Sequence, residues 1–470
     1  MNQKIQGFAL LGLWGVVVFL MFRHAPFALN EGAAKALLMD WSIGDQVASS
    51  VVTLGMPDLR ALIWLPLGFL WPGQILAAKI VTLLLFAHAT YLLYQWHVTN
   101  KQDETALLSC GLALIAPITL QQIDQLDPAI MLFISLVYGA TLDRSYRAAP
   151  RLFGGNFFAQ LLLIVFAASL HPMGIAYGLS VLFGWYKDST LGKVNQRSFL
   201  IGSLIALFTG VLLRWGWKDI SFGLNPFPAA ASVFTGHPLD VILDLKVALL
   251  GLIAMLLALL FLISDRQTML KNQLSLSLAL AVILGLVSGD YNWGFMLLMF
   301  ILNVGFPWIL KPRKVLLQYG FLVQRGWLWV ILLVIGTTYL HTDRNQYVFA
   351  KANVLSNQDQ VIQTLSEDVD LIRKVSDENS VHAPLIRVAS QWPARTMIAC
   401  RCDVLPLPPV TAKPEQELAL IKGITHIIFV PNENKNLGLT QNLSVLGDRI
   451  ETVSLQPGGV ILHVKGEEKK

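Results

Sequence analysis

Along the first 341 residues, long apolar runs alternate with short polar connections. A helix that crosses a bilayer needs about 20 mostly apolar residues. Runs of that kind fall at roughly 5–22, 75–97, 105–121, 128–142, 153–170, 172–186, 198–216, 240–264, 273–289, 293–310 and 325–341. The pattern predicts an all-α polytopic membrane domain with about eleven transmembrane helices. Residues 61–71 are apolar too, but Pro66 interrupts them and Pro72-Gly73 closes them. Proline inside a helix removes a donor and clashes with the preceding turn. The stretch therefore reads as a membrane-lying or re-entrant piece. Beyond His341 the pattern changes. Gln358 to Asp377 reads as an amphipathic helix and Thr411 to Lys422 as another. Val381–Val388, Thr396–Arg401, Thr425–Val430 and Gly459–Val464 read as strands by their β-branched content. The expectation is a transmembrane domain over 1–341, including a loop at 23–60, and a small C-terminal α/β extracytoplasmic domain over 342–470.

Composition agrees with a membrane protein carrying a soluble appendage. Apolar residues make up 54% and charged ones 14%, where soluble chains carry about a quarter charged. A net charge of +5 is small and dispersed, so no nucleic-acid partner is implied. Residues 5–22 lack a clear cleavage site and read as an uncleaved signal anchor. Cys110 stands in an apolar run. Cys400 and Cys402 read as alternate residues of one strand, where a disulfide would be strained, and two thiols fall short of a zinc site.

Charge bias sets the orientation. One set of connections holds Lys4, Lys101, Arg144, Arg147, Arg151, Lys187, Lys193, Arg197, Arg266, Lys271, Lys311, Arg313 and Lys314. The other set, apart from the tail, holds mainly Arg23, Lys35, Arg60 and Lys218. The positive-inside rule makes the first set cytoplasmic. The N-terminus is then cytoplasmic and the tail periplasmic, in a multi-pass protein of the cytoplasmic membrane. Most polar groups near the apolar runs fall on the outer face: the loop 23–60, Asp124, Asp127, His171, the loop 218–240 and Asp290. Ionisable groups at membrane depth are costly and mark function, so the outer face is the expected active face.

Each candidate has a chemical role and a plain structural one. Glu31 could act as general base on a hydroxyl, or open the helix that follows at its positive dipole end. Asp40 and Asp45 flank Trp41-Ser42-Ile43-Gly44; either could be the active acid instead, or they could cap helices. Asp127 precedes Pro128 and fits a helix cap, or a second acid facing Glu31. Asp124 and Asp127 supply two oxygens toward a divalent cation, fewer than such an ion takes; no other cofactor is implied. His171 could bind a phosphate or sugar, or simply make the turn with Pro172. Asp290-Tyr291 has aromatic and acidic groups common in sugar sites, though aromatics are expected at an interface. His237 lies in a Pro-rich loop of the kind that forms lids. Phosphate-cradling Gly-rich loops, HExxH and CxxC motifs are absent from the sequence.

The layout resembles the GT-C superfamily of membrane glycosyltransferases, in its dolichyl-phosphate-mannose-mannosyltransferase-like and aminoarabinose-transferase-like branch. The matching parts are Asn30-Glu31-Gly32 after one span, then Leu65-Pro66-Leu67-Gly68-Phe69-Leu70, Pro72-Gly73, a long helix from Gln74 to Trp96, and Asp127 ahead of Ala129 to Leu142. Asn30 stands where many members carry Asp. The resemblance implies an enzyme of the cell envelope that moves a hexosyl or pentosyl group from a polyprenyl-phosphate-linked donor to a lipid, glycan or protein acceptor. Catalysis would fall to Glu31, Asp40, Asp45 and Asp127. Arg60 or His171 would neutralise the leaving phosphate, since Arg–phosphate pairing is bidentate and strong. Two other classes remain open: a lipid-linked-sugar flippase or exporter, which should show mid-span charges and matched broken helices, and a non-catalytic scaffold of a polysaccharide assembly complex, which would tolerate loss of every outer acid.

Overall fold

The computed structural model describes residues 12, 33–38, 59–70, 75–99, 103–116, 119, 122–123, 126–148, 154–187, 193–219, 273–287, 293–305, 357–376, 378, 385–410, 414–431, 433, 436–445 and 447–465. The chain divides into two compact units. The first holds residues 12, 59–60 and the described residues of 79–341; the second holds 33–38, 61–70, 75–78 and the described residues beyond 341.

The helices in chain order are α1 (Arg60–Leu70), α2 (Ile75–Thr99), α3 (Asp103–Ile115), α4 (Pro128–Ala148), α5 (Gly155–Leu170), α6 (Ile175–Lys187), α7 (Lys193–Asp219), α8 (Gln273–Val287) and α9 (Trp293–Phe300). Each apolar run that falls among the described residues is helical, with shifted ends. α3 stops before Pro117, because a residue preceding proline disfavours the helical region. α1 runs through Pro66. α9 passes into a π-helical turn, Ile301–Gly305. Among the described residues, α2 and the segment Gln196–Leu213 of α7 are long and apolar enough to cross a membrane, and Gly155–Leu170, Gln273–Gly285 and Gly294–Asn303 are shorter apolar helices. The expected spans at 5–22, 240–264 and 325–341 lie outside the described residues.

α5 packs along α4 and α7, while α8 packs on α4, α6 and α9. The outward faces are apolar. On α7, Ile201, Leu204, Ile205 and Phe208 are all more than half exposed, at helical spacing on one stripe. Soluble monomers rarely show such a patch. The inward faces use small residues for close approach. A Cβ at Gly210 of α7 would stand 2.6 Å from the Val165 carbonyl oxygen of α5.

The second unit contains a mixed five-stranded sheet built from β1 (Arg387–Ser390), β2 (Asp403–Pro406), β3 (His426–Phe429), β4 (Ile450–Gln456) and β5 (Gly459–Val464), in the order β2-β1-β3-β5-β4. β2, β1 and β3 run parallel; β5 is antiparallel to both β3 and β4. Helix α10 (357–376) buries Val361, Ile362, Leu365 and Val369, an i, i+1, i+4, i+8 stripe. Helices α11 (Pro393–Cys400), α12 (Pro414–Leu420) and α13 (Leu437–Val445) complete the fold. A core cluster joins Ala389, Ile427, Phe429, Val460 and Leu462 of the sheet to Ile421, Ile424, Leu439 and Leu443.

Two expectations for the tail are corrected. Residues 396–400 are helical, not a strand, and β2 begins at Asp403. Pro393 occupies the first helical turn, where its fixed φ suits a helix start, and the Ser390 hydroxyl accepts the Trp392 amide at 2.9 Å. Cys400 and Cys402 form a disulfide with Cα atoms 5.2 Å apart. They are not strand neighbours: Cys400 ends α11, and Arg401 turns the chain in the left-handed region at φ 50°. Two arginine donors brace the turn, Arg373 Nη1 to the Cys400 carbonyl at 3.1 Å and Nη2 to the Arg401 carbonyl at 2.8 Å.

A pH response is built into this sheet. His426 pairs in register with His463 of β5, and its Nε2 lies 3.3 Å from Asp368 Oδ2 of α10. Burial, and then repulsion from His463, lower its pKa below the ordinary 6.5, against the pull of Asp368. The unfolded chain therefore binds this proton before the folded one does, and stability falls as pH drops through about 6.5. Hydrogen-exchange protection of β3 and β5 in the intact protein, corrected for intrinsic rates, should weaken over that window. His426→Gln should flatten the dependence.

Candidate functional site

The first turn of α4 gathers two of the candidate residues. Leu126 is buried and takes the left-handed region at φ 49°, an unusual conformation for a bulky residue. Its amide donates to the Ile123 carbonyl at 3.1 Å, and the Asp127 amide donates to the Gln122 carbonyl at 2.9 Å. Arg60, the first residue of α1 and buried, donates Nη1 to the Leu126 carbonyl at 2.7 Å. That bond holds the strained turn in place. It also sets a guanidinium one residue from a carboxylate.

Asp127 Oδ1 accepts the Ala129 amide at 2.9 Å. Pro128 follows as the first helical residue. A carboxylate at this point satisfies an end amide and suits the helix dipole. Asp127 thus caps α4, whatever else it does. Asp127→Ala should cost about 1 kcal/mol in thermal unfolding of the purified protein, whereas Asp127→Asn retains an oxygen acceptor and should lose much less.

His171 is buried in an extended conformation between α5 and the 3-10 turn Pro172–Gly174. Its Nδ1 accepts the Met173 amide at 3.2 Å, which leaves Nε2 to carry the ring proton. The Gly174 amide closes the turn on the His171 carbonyl at 2.8 Å. α4 and α5 are antiparallel neighbours: Tyr146 and Phe157 meet at the end nearest their connection, with ring centroids 6.4 Å apart. Asp127 and His171 therefore lie toward the other end of the pair.

Glu31, Asp40, Asp45, Asp124, His237, Asp290 and Tyr291 lie outside the described residues. Among the described residues, no three His, Cys, Asp or Glu side chains gather as a metal site. A buried pair that the sequence did not single out joins His97 Nε2 of α2 to Asn303 Oδ1 in the π turn at 3.2 Å. The available signal was a histidine and an asparagine inside apolar runs, and their meeting could not be read from spacing.

No protein-family model matches this chain, and no curated protein matches it. Among solved structures, the crystal structure of the Archaeoglobus fulgidus oligosaccharyltransferase, in complex with zinc and sulfate, is similar at a TM-score of 0.39 and 13% identity. The similarity covers 81% of this chain and 58% of that one, so the chain spans less than two thirds of the length of that protein.

Proposed function

We propose that the chain is an integral membrane glycosyltransferase that moves a sugar from a polyprenyl-phosphate-linked donor to a lipid, glycan or protein acceptor at the outer face of the cytoplasmic membrane. The observation that carries this reading is the turn in which buried Arg60 meets Leu126 beside Asp127. It supplies a cation and an anion at the end of the helix pair where His171 also stands. The transmembrane domain over 1–341 would house the reaction, and the domain over 342–470 would face the periplasm.

In this reading the acceptor hydroxyl attacks the anomeric carbon as the bond from that carbon to the phosphate oxygen breaks. Polyprenyl phosphate leaves with the electron pair. Glu31, or Asp40 or Asp45 in its place, takes the hydroxyl proton, and Asp127 assists. Arg60 and His171 face the leaving phosphate, where charge-assisted hydrogen bonds are strongest. Asp124, His237, Asp290 and Tyr291 would contact the donor or the sugar.

The test is release of free polyprenyl phosphate from a labelled polyprenyl-phosphate hexose, by the full chain in nanodiscs supplied with membrane lipid. Wild type should release it. Glu31→Gln should abolish release while the protein still elutes as folded material, and Asp127→Asn should reduce it. Release that survives neutralisation of Glu31, Asp40, Asp45 and Asp127 together would sink the proposal. Movement of the intact donor between leaflets, without release, would favour a flippase.

A further inference from the structure

Every exposed residue of α2 falls on one stripe, and the stripe changes character halfway along. Leu76, Ile80 and Leu84 come first, then His88, Tyr91, Gln95 and Thr99. Steps of three and four residues keep them on one face of the helix. His88 lies deep in α2, about 20 Å from its first residue and about 16 Å from its last. That is near the middle of a hydrocarbon core about 30 Å thick. The His88 Nδ1 bonds the Tyr138 hydroxyl, with ring centroids 5.5 Å apart, and Tyr138 is itself central in α4. Further along the stripe, Gln95 Nε2 donates to the Tyr91 hydroxyl at 2.7 Å. Both bonds leave capacity over. His88 keeps its Nε2, the Tyr91 hydroxyl keeps its proton, and the Gln95 amide keeps its oxygen and a second N–H.

Whatever covers this stripe must answer those hydrogen bonds. Lipid chains cannot do so, and an ionisable group turned toward them is costly. The stripe bears no Lys, Arg, Asp or Glu, so a charged partner gains no ion pair there. Each of its polar side chains can act as both donor and acceptor. That property suits a copy of itself. Copies inserted in one orientation are related by an axis along the membrane normal, and a two-fold dimer then sets each residue against its counterpart at the same depth. Like charges would repel in that arrangement. His88, Tyr91 and Gln95 can instead bond their own counterparts, the imidazole by taking a different tautomer in each copy. Polar side chains bonded across helices hold membrane bundles together in this way.

We propose that the His88–Tyr91–Gln95 face of α2 is a homodimer interface within the bilayer, where two copies of this chain pair through neutral hydrogen bonds. The interface rests on the reading of α2 as a membrane span and not on the transferase chemistry.

Oxidative crosslinking in native membranes tests it. Leu84 lies on the stripe one turn from His88 and carries none of its polar groups. Leu84→Cys should yield a disulfide-linked dimer on non-reducing gels, several-fold more than Ile205→Cys, which puts the thiol on the apolar stripe of α7. The wild-type chain, whose Cys110 is buried and whose Cys400 and Cys402 pair with each other, should yield none. Adding His88→Leu, Tyr91→Phe and Gln95→Leu to Leu84→Cys should cut the dimer several-fold. Equal crosslinking at Leu84→Cys and Ile205→Cys, a linked product containing a different protein, or an undiminished dimer after the added substitutions would overturn the proposal. Should the multiple variant fail to insert, the comparison of Leu84→Cys with Ile205→Cys decides. Carbonate extraction checks the span separately. Chain released by carbonate would overturn the membrane reading and the interface with it, whereas retained chain without a Leu84→Cys dimer overturns the interface alone.

Discussion

Gly174→Ala is expected to remove most folded protein from the membrane. A Cβ at this position would stand 1.7 Å from the Ala167 carbonyl oxygen and 2.3 Å from its carbon. Both atoms belong to the backbone of α5, so no rotamer change relieves the clash. The turn cannot move instead. Pro172 fixes its φ, the His171 ring caps it, the Gly174 amide bonds the His171 carbonyl, and the Ile175 amide reaches back to the carbonyls of Met173 and Pro172. Overpacking that side chains can absorb costs about 1–3 kcal/mol; here the two backbones must separate, and the cost should exceed that range. Gly155→Ala is the control. A Cβ there meets nothing within 4 Å, and alanine is the better helix former by about 0.5–1 kcal/mol. Detergent-solubilised yield and thermal unfolding should place the two variants on opposite sides of wild type. Normal yield of Gly174→Ala would mean that α5 and the turn do not approach as closely as described.

The same turn shows what the sequence could and could not reveal. Helices α2 to α9 were legible as helices because each falls on a long apolar run bounded by polar or Pro/Gly punctuation. The cap at Asp127-Pro128 was legible because it is local, with donor and acceptor two residues apart. The bond from Arg60 to Leu126 spans 66 positions, and that from His97 to Asn303 spans 206. Single polar residues inside apolar runs carry no mark of which partner they meet. In the tail, α10 was legible from its period and β3 and β5 from their apolar content. β4 is an edge strand whose residues are mostly exposed, so its alternation was weak. The region around α11 was misread because Thr396 and Ile398 favour strands, while Pro393 and the Ser390–Thr396 hydroxyl pair, at 2.7 Å, decide the local geometry.

Polar pairing within one helix governs the second large effect, at the other end of α4. Asp143 is 4% exposed and bonds Arg147 one turn later, with Nε 2.7 Å from Oδ2. The guanidinium carbon stands 5.3 Å from the Trp185 ring centroid. The two partners are not equally dependent. The Arg147 side chain is 29% exposed against 6% for Asp143, and a long basic side chain near a helix end can turn toward the interface. The carboxylate has no such route. Arg147→Ala should therefore take the guanidinium from a carboxylate that stays buried and cost more than Asp143→Asn, which leaves a cation that can reach water. In the double variant the charge is gone from both positions, so its stability should return close to that of Asp143→Asn alone. Chemical denaturation of the four proteins in one detergent measures this cycle. Equal losses for Arg147→Ala and Asp143→Asn would show that Asp143 reaches water by another path, and that this end of α4 is wetter than its burial implies.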